Sequence, residues 1–220
     1  LGSPAAADIG QRLTQSLESS LAAMKLSHVD VFFLHSNICE DDYAYAVRPD
    51  LRDSFATTWS LYTERFIPAM EKLKAQGKIG MWAITGTGGP AAILRARVSA
   101  FWSAIVQAMT NLMDSAGALR RYAEPAQPRA IIARAKANGV GVMGIRAVQA
   151  GALTAQIDRS LSANHPETKD YDRAAPYREL CKRIGQDPAV LAHRYAMSMA
   201  GVDTVVLGVK NRTELAQCLE

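Results

Sequence analysis

Five polar residues stand at the ends of apolar runs, and each has a side chain that can do chemistry. His35 follows Val29-Asp-Val-Phe-Phe-Leu34, Thr85 closes the run from Lys78, and Gln107 ends the run from Phe101. Arg146 ends the run from Val140, and Lys210 lies two residues past Gly208, beyond Val202–Leu207. An imidazole can hydrogen-bond a carbonyl oxygen and stabilise the charge that develops there. A buried amide needs partners, because leaving one unsatisfied costs ~1–3 kcal/mol. A guanidinium fork binds phosphate oxygens in pairs. An ammonium at Lys210, beside helix N-terminal amides at Asn211 to Thr213, makes an anion site. Plainer readings stand beside these: a structural histidine, a core amide, an ion pair and a solvated lysine.

The elements that must position these groups follow a regular order. From a cap at Asp8, Ile9, Leu13, Leu17, Leu21 and Met24 mark one helical face. The strand Val29–Leu34 follows, then a long polar loop from Ser36 to Ser54. A helix over Thr63–Gln76 stops at Gly77 and leads into a strand over Lys78–Thr85. A short helix over Pro90–Arg97 precedes a strand over Phe101–Gln107. A helix over Pro128–Asn138, with Pro at its start and Gly139 past its end, leads to a strand over Val140–Arg146. Helices over Tyr177–Ile184 and Pro188–Met199, a strand over Val202–Leu207 and a last helix near Thr213 complete the chain. Short strands that are apolar on both faces and alternate with helices predict an α/β fold with a parallel sheet. No G-x-G-x-x-G follows any strand, so the dinucleotide fingerprint of an open doubly wound sheet is absent. Polar residues at successive strand ends instead suit the mouth of a parallel (β/α)8 TIM barrel.

Composition narrows the partners. Lys and Arg number 25 against 21 Asp and Glu, a net charge of +4, and aromatics are only 7%. The arginines are scattered, with no basic stripe of the kind nucleic acid requires. A phosphate-bearing small molecule suits the mild positive excess. Cys39, Cys181 and Cys218 are far apart and show no metal-ligand or disulfide spacing. They read as free thiols in a reducing cytoplasm. No apolar run is long enough to span a membrane, and Leu1–Asp8 lacks the features of a signal peptide. The acids of the long loop, Glu40, Asp41 and Asp42, read as a solvated face rather than a metal site, and Tyr43 and Tyr45 beside them would shape a pocket. His165 is expected on an exposed loop with no assigned role.

From about Leu13 to Leu215 the sequence resembles the aldo-keto reductases. Ser16-Leu-Glu-Ser-Ser-Leu21 with His28-Val-Asp-Val-Phe-Phe-Leu-His35 is similar to the family's helix and fourth strand. Glu71-Lys-Leu-Lys-Ala-Gln-Gly-Lys-Ile79 resembles the entry to the fifth, and Ile105-Val-Gln107 with Asn111 the sixth. Gly151-Ala-Leu-Thr154 and Val205-Val-Leu-Gly-Val-Lys-Asn211 follow in family order. The resemblance implies hydride transfer between NADP(H) and an aldehyde, ketone or sugar. It implies that His35 is a neutral imidazole orienting the substrate carbonyl. Gln107, with Thr85 and Gly86, would hold the nicotinamide carboxamide, although the family commonly carries Ser-Asn where Thr85-Gly86 stands. Arg146 replaces a common Ser, and Ile145 an aromatic often stacked on the nicotinamide. The backbone of Ala147, Val148, Gln149, Ala150 and Gly151 would lie along the diphosphate. Gly208, Lys210, Asn211, Thr213 and Glu214 would surround the adenosine 2′-phosphate, and Gln217 the adenine. An acid at Glu214 is unusual there.

The family's proton-donor Tyr, its Lys and the Asp paired to that Lys lie on the first three strands. The resemblance therefore predicts that the chain, read as one domain over residues 1–220, carries roughly units four to eight. A whole barrel of this kind would run to ~300 residues or more. Two other functions stay open. One is a non-catalytic nucleotide-binding barrel that regulates a partner. The other is an unrelated barrel acting on a phosphorylated metabolite through Lys210.

Overall fold

The computed structural model describes residues 8–96 and 103–219, without the side chains of Asp53 and Gln217. Helix α1 (Ile9–Met24) buries Ile9, Leu17 and Leu21 and ends at Lys25, which adopts a left-handed conformation. Strand β1 (Val29–Leu34) follows. Next come β2 (Asn37–Cys39), a 3-10 turn at Pro49–Leu51, α2 (Arg52–Phe55) and β3 (Ala56–Thr58). Helix α3 (Trp59–Leu61) runs through a π-turn at Tyr62–Phe66 into α4 (Ile67–Ala75). Then come β4 (Ile79–Thr85), α5 (Pro90–Ala96), β5 (Ile105–Met109), α6 (Pro128–Ala137) and β6 (Gly141–Ile145). Helices α7 (Pro166–Arg173), α8 (Ala175–Ile184) and α9 (Pro188–Ser198) lead to β7 (Thr204–Val205) and α10 (Arg212–Leu219).

The main sheet has the order β1-β4-β5-β6-β7, so its spatial order is the chain order. Every pairing in it is parallel. Consecutive parallel neighbours need a crossover each, and the helices supply them. One face of the sheet packs on those helices. Trp82, Ile84, Val106 and Val142 join Phe66, Met70, Leu73, Ile93, Ile131 and Ile132 in a single buried cluster. Phe66 stacks on Tyr62 at 5.5 Å and meets Trp82 edge-on at 5.4 Å. Such aromatic pairs add roughly 0.5–1.5 kcal/mol each beyond burial. The indole Nε1 of Trp82 donates to Glu71 Oε1 at 2.7 Å, so the ring's one polar atom is satisfied. The opposite face is more open, with Phe33, Ile105 and Met143 half-buried and Met81 exposed.

Three sequence expectations change. The segment after His35 is not wholly an irregular polar loop. Its first residues are buried, and β2 pairs in parallel with β3 from Asn37↔Ala56 to Cys39↔Thr58. Ile38 enters the main core, and Ser36 and Thr57 share a buried hydroxyl–hydroxyl hydrogen bond of 2.7 Å. A three-residue strand is too short to show a period. His165 does not sit on a loop but at the N-cap of α7, with Pro166 at the first helical turn. That helix buries only Glu167 and Asp170, so it has no apolar stripe to read. Strand β7 keeps two residues of the run expected over 202–207, and Val206 is exposed. The expected strand start at Phe101 lies outside the described residues. Among the described residues, no helix is long and apolar enough to cross a membrane.

Candidate functional site

Strand register brings the first group together. Thr85 on β4 is opposite Gln107 on β5, and Gln107 is opposite Met143 on β6. Thr85 Oγ1 donates to Gln107 Oε1 at 3.1 Å. Among the described residues the amide Nε2 meets only Met143 Sδ, at 3.8 Å. Thioether sulfur is a weak acceptor, so this amide keeps donor capacity for a ligand. Gly86 N–H donates to the Gln107 carbonyl at 2.7 Å. A Cβ at residue 86 would stand 2.6 Å from that oxygen, which explains why no amide-bearing side chain occupies this position.

His35 follows β1 and is exposed, with Phe55 edge-on to its ring at 6.2 Å. His35, Thr85 and Ile145 share a cavity of about 270 Å³ with Asn37, Phe55 and Arg121 among its other walls. Asn37 is held in place. Its Nδ2 donates to Thr87 O and Oγ1 at 3.0 Å each, and Tyr45 OH donates to its Oδ1 at 3.0 Å. The sequence pattern brought out His35, Thr85 and Ile145. It missed Asn37 at the start of β2, Phe55 at the end of α2, and Thr87 and Arg121, which lie outside the helices and strands. Neither nearby tyrosine is free to act as an acid. Tyr43 donates to Glu124, and burial with that carboxylate pushes its phenol up to about 12. Tyr45 is raised well above the ordinary phenol range, chiefly by burial. The loop acids are structural. Glu40 pairs with Arg95, and Asp41 takes the N–H and hydroxyl of Ser60.

Arg146 ends β6 with φ +60°, and its fork is occupied. Nη2 donates to Glu167 Oε1 at 2.8 Å and Nε to Gln149 Oε1 at 2.9 Å. The Gln149 side chain is fully used within a buried polar network. Its Oε1 also accepts from Asn111, while Nε2 donates to Ser115 Oγ and Asp170 Oδ2. Burial would raise the Glu167 carboxyl, but Arg146 and the Ala118 N–H outweigh it and hold the group below the usual carboxylate range. Gln149 and Ala150 also have positive φ, at +47° and +50°. Non-glycine residues in that region cost roughly 1–3 kcal/mol each and persist only where the surroundings impose them. Arg146 and Gln149 are held by their side-chain bonds to Glu167 and Asp170, and the Ala150 carbonyl accepts from Arg159 Nη2 at 2.8 Å. The ion-pair reading of Arg146 therefore describes its side chain. Of the 147–151 backbone, Gln149 N and Gly151 N are spent on Arg146 O and Val148 O.

At the far edge of the sheet, Gly208, Lys210, Asn211 and Thr213 are exposed. Asn211 Oδ1 accepts from Glu214 N at 2.9 Å, so Asn211 caps α10. Glu214 reaches back and accepts the Lys210 N–H at 2.8 Å. The Lys210 ammonium pairs with Asp158. The structure thus brings Lys210, Asn211, Thr213 and Glu214 to one helix N-terminus, with two carboxylates of the chain itself in attendance. The Gln217 side chain lies outside the described residues.

Among curated proteins none matches the sequence. Solved structures do match. An aldo-keto reductase, AKR11C1 from Bacillus halodurans, superposes in its holo form with TM-score 0.63 at 15% identity, over 96% of this chain and 60% of that one. Its apo form gives 0.63 at 16%, over 96% and 62%. At these identities the likeness is one of fold, a parallel α/β barrel architecture, and the chain spans about three fifths of the length of those proteins. The description of the Aldo/keto reductase family fits residues 3–220, nearly the whole chain, and the protein belongs to that family.

Proposed function

We propose that the protein is an oxidoreductase that moves a hydride between NADP(H) and the carbonyl of an aldehyde, ketone or sugar. One observation carries this reading: His35 just past β1 and Thr85 at the end of β4 line one cavity, and Thr85 bonds the under-used amide of Gln107, which lies in the middle of β5 rather than at its end. The residues fit the cofactor's nicotinamide end, because Gln107 Nε2 can donate to a carboxamide oxygen without breaking its bond from Thr85. They fit the phosphate end at a cost. Lys210 must exchange Asp158 for a 2′-phosphate, and Glu214 must yield the Lys210 N–H. The Ala147–Gly151 segment, with Arg146 beneath it, would face the diphosphate. The five units are read as the fourth to eighth of a (β/α)8 barrel forming one domain, working in the cytoplasm.

The bound cofactor supplies the hydride. His35 donates a hydrogen bond to the substrate oxygen and orients its carbon towards the nicotinamide held by Gln107 and Thr85. Negative charge would then build on that oxygen next to the His35 donor, and a proton from solvent or an acid would complete the alcohol. The test is NADPH oxidation with a panel of aromatic and aliphatic aldehydes and sugars. Turnover that falls about a hundredfold in His35→Ala is expected. Cofactor binding without turnover of any carbonyl would refute the enzyme and leave the non-catalytic barrel.

A further inference from the structure

We propose that the cavity beside His35 takes a substrate that carries a carboxylate, and that Arg121 is the residue that grips it. The inference rests on the reading of this cavity as the substrate site. Arg121 and His35 are its only basic lining residues, and no Asp or Glu lines it among the described residues. The rest of the wall combines Leu51, Phe55, Leu119 and Ile145 with the uncharged polar residues Asn37, Ser54, Thr85 and Thr87. Other arginines of this protein hold carboxylates, as Arg48, Arg95, Arg129 and Arg146 do. Arg121 does not. It is half-buried, and its guanidinium has no hydrogen-bond or ion-pair partner among the described residues. Asp50, whose carboxylate feels Arg121, is fully exposed and gives both oxygens to Arg48. A partly desolvated cation without a counter-charge is costly to keep unless a ligand supplies the charge.

The backbone of Arg121 is also anchored before any ligand arrives. Its carbonyl accepts the N–H of Ala46 at 2.8 Å and of Val47 at 3.3 Å, which ties its loop to the segment after β2. The next side chain, Tyr122, is 3% exposed and anchors the turn from the other side. The backbone is therefore placed at the cavity, and the guanidinium fork matches a carboxylate in two parallel hydrogen bonds. A cavity of about 270 Å³ suits a small molecule. With His35, Arg121 and four apolar residues lining one small cavity, the fitting ligand is a small carbonyl compound that also carries a carboxylate, on a short or aromatic spacer.

The experiment compares benzoate with benzamide, its neutral isostere, by titration calorimetry and ligand-observed NMR on the full chain. Benzoate should bind about tenfold more tightly, roughly the gain from one charge-assisted pair. Arg121→Gln should bring the two within about twofold, and Arg121→Lys should keep part of the preference because it keeps the charge but loses the fork. With NADPH, the ratio of kcat/KM for 4-carboxybenzaldehyde over benzaldehyde should fall in Arg121→Gln through KM. Equal binding of benzoate and benzamide, or a preference that survives Arg121→Gln, overturns the assignment. If no carbonyl is reduced but the Arg121-dependent preference for benzoate is present, the anion site stands and the hydride-transfer reading fails.

Discussion

Replacing Glu167 by Ala tests whether the buried network shapes the segment after β6. The Glu167 side chain is 4% exposed and that of its partner Arg146 is 16% exposed. The substitution removes the acceptor of Arg146 Nη2 at 2.8 Å and of the Ala118 N–H at 3.2 Å. It also removes the oxygen that stands 2.6 Å from His165 Nδ1. Breaking a buried pair from one side costs ~3–5 kcal/mol, because the remaining charge is stranded. Arg146 keeps Gln149 Oε1 and some solvent, so a loss of about 3 kcal/mol is expected. Against a typical total of roughly 5–15 kcal/mol that is a large fraction. The pair Arg146→Met with Glu167→Leu should recover most of it, since no charge is then left unpaired. The pH dependence has a definite sign. Glu167 is held below the ordinary carboxylate range in the folded chain. Its contribution is therefore full above the unfolded value of about 4.3 and is lost as pH falls through the lower folded value. Urea unfolding should show a shifted midpoint at pH 7 with an unchanged slope, and a gap between wild type and Glu167→Ala that narrows below about pH 4. A variant within about 0.5 kcal/mol of wild type at pH 7, or a gap indifferent to pH, would refute the reasoning.

At the adenosine end, Lys210→Ala should weaken NADPH binding about tenfold or more and NADH binding little, as read by fluorescence titration. Glu214→Gln should strengthen NADPH, because it removes a carboxylate from the same helix N-terminus, and equal effects on both cofactors would show that neither residue meets the 2′-phosphate. Gly86→Ala should destabilise by ~1–3 kcal/mol, since its Cβ would come within 2.6 Å of the Gln107 carbonyl. It should also disturb Gln107, so an unchanged urea midpoint would count against the close approach. Alkylation of the native chain should modify Cys218 first. Cys39 and Cys181 are each 1% exposed, and burial pushes the Cys39 thiol up to about 11. Rapid labelling of Cys39, followed by mass spectrometry, would contradict its placement.

The sequence by itself determined the α/β alternation and the order of the strands. Val29–Leu34, Ile79–Thr85 and Gly141–Ile145 lie within their apolar runs, and α4 and α6 carry readable stripes that bury Ile67, Met70 and Leu73 and Ile131, Ile132 and Ala135. Gly185 closes α8 with φ +67°, a conformation that glycine adopts without strain. Strand ends also pointed to His35 and Thr85, because a polar residue at the close of an apolar run breaks the local pattern in plain view, whereas the end expected at Gln107 moves on to Met109 because Ala108 and Met109 continue the pairing with β6. Tertiary structure alone decided how those groups are spent. The Thr85–Gln107 bond depends on parallel register, and the Arg146–Glu167 pair joins residues from β6 and a helix with no apolar period. Asp158 reaches Lys210 from a distant loop that no spacing encodes, and Glu214, at the Asn211-x-x-Glu214 spacing of a helix cap, turns back to the Lys210 N–H. Arg121 became visible only when two loops closed around one cavity. Periodicity records which face of an element is buried. Which polar groups then meet is settled by contacts between elements far apart in the chain, whose geometry follows from packing rather than from local pattern.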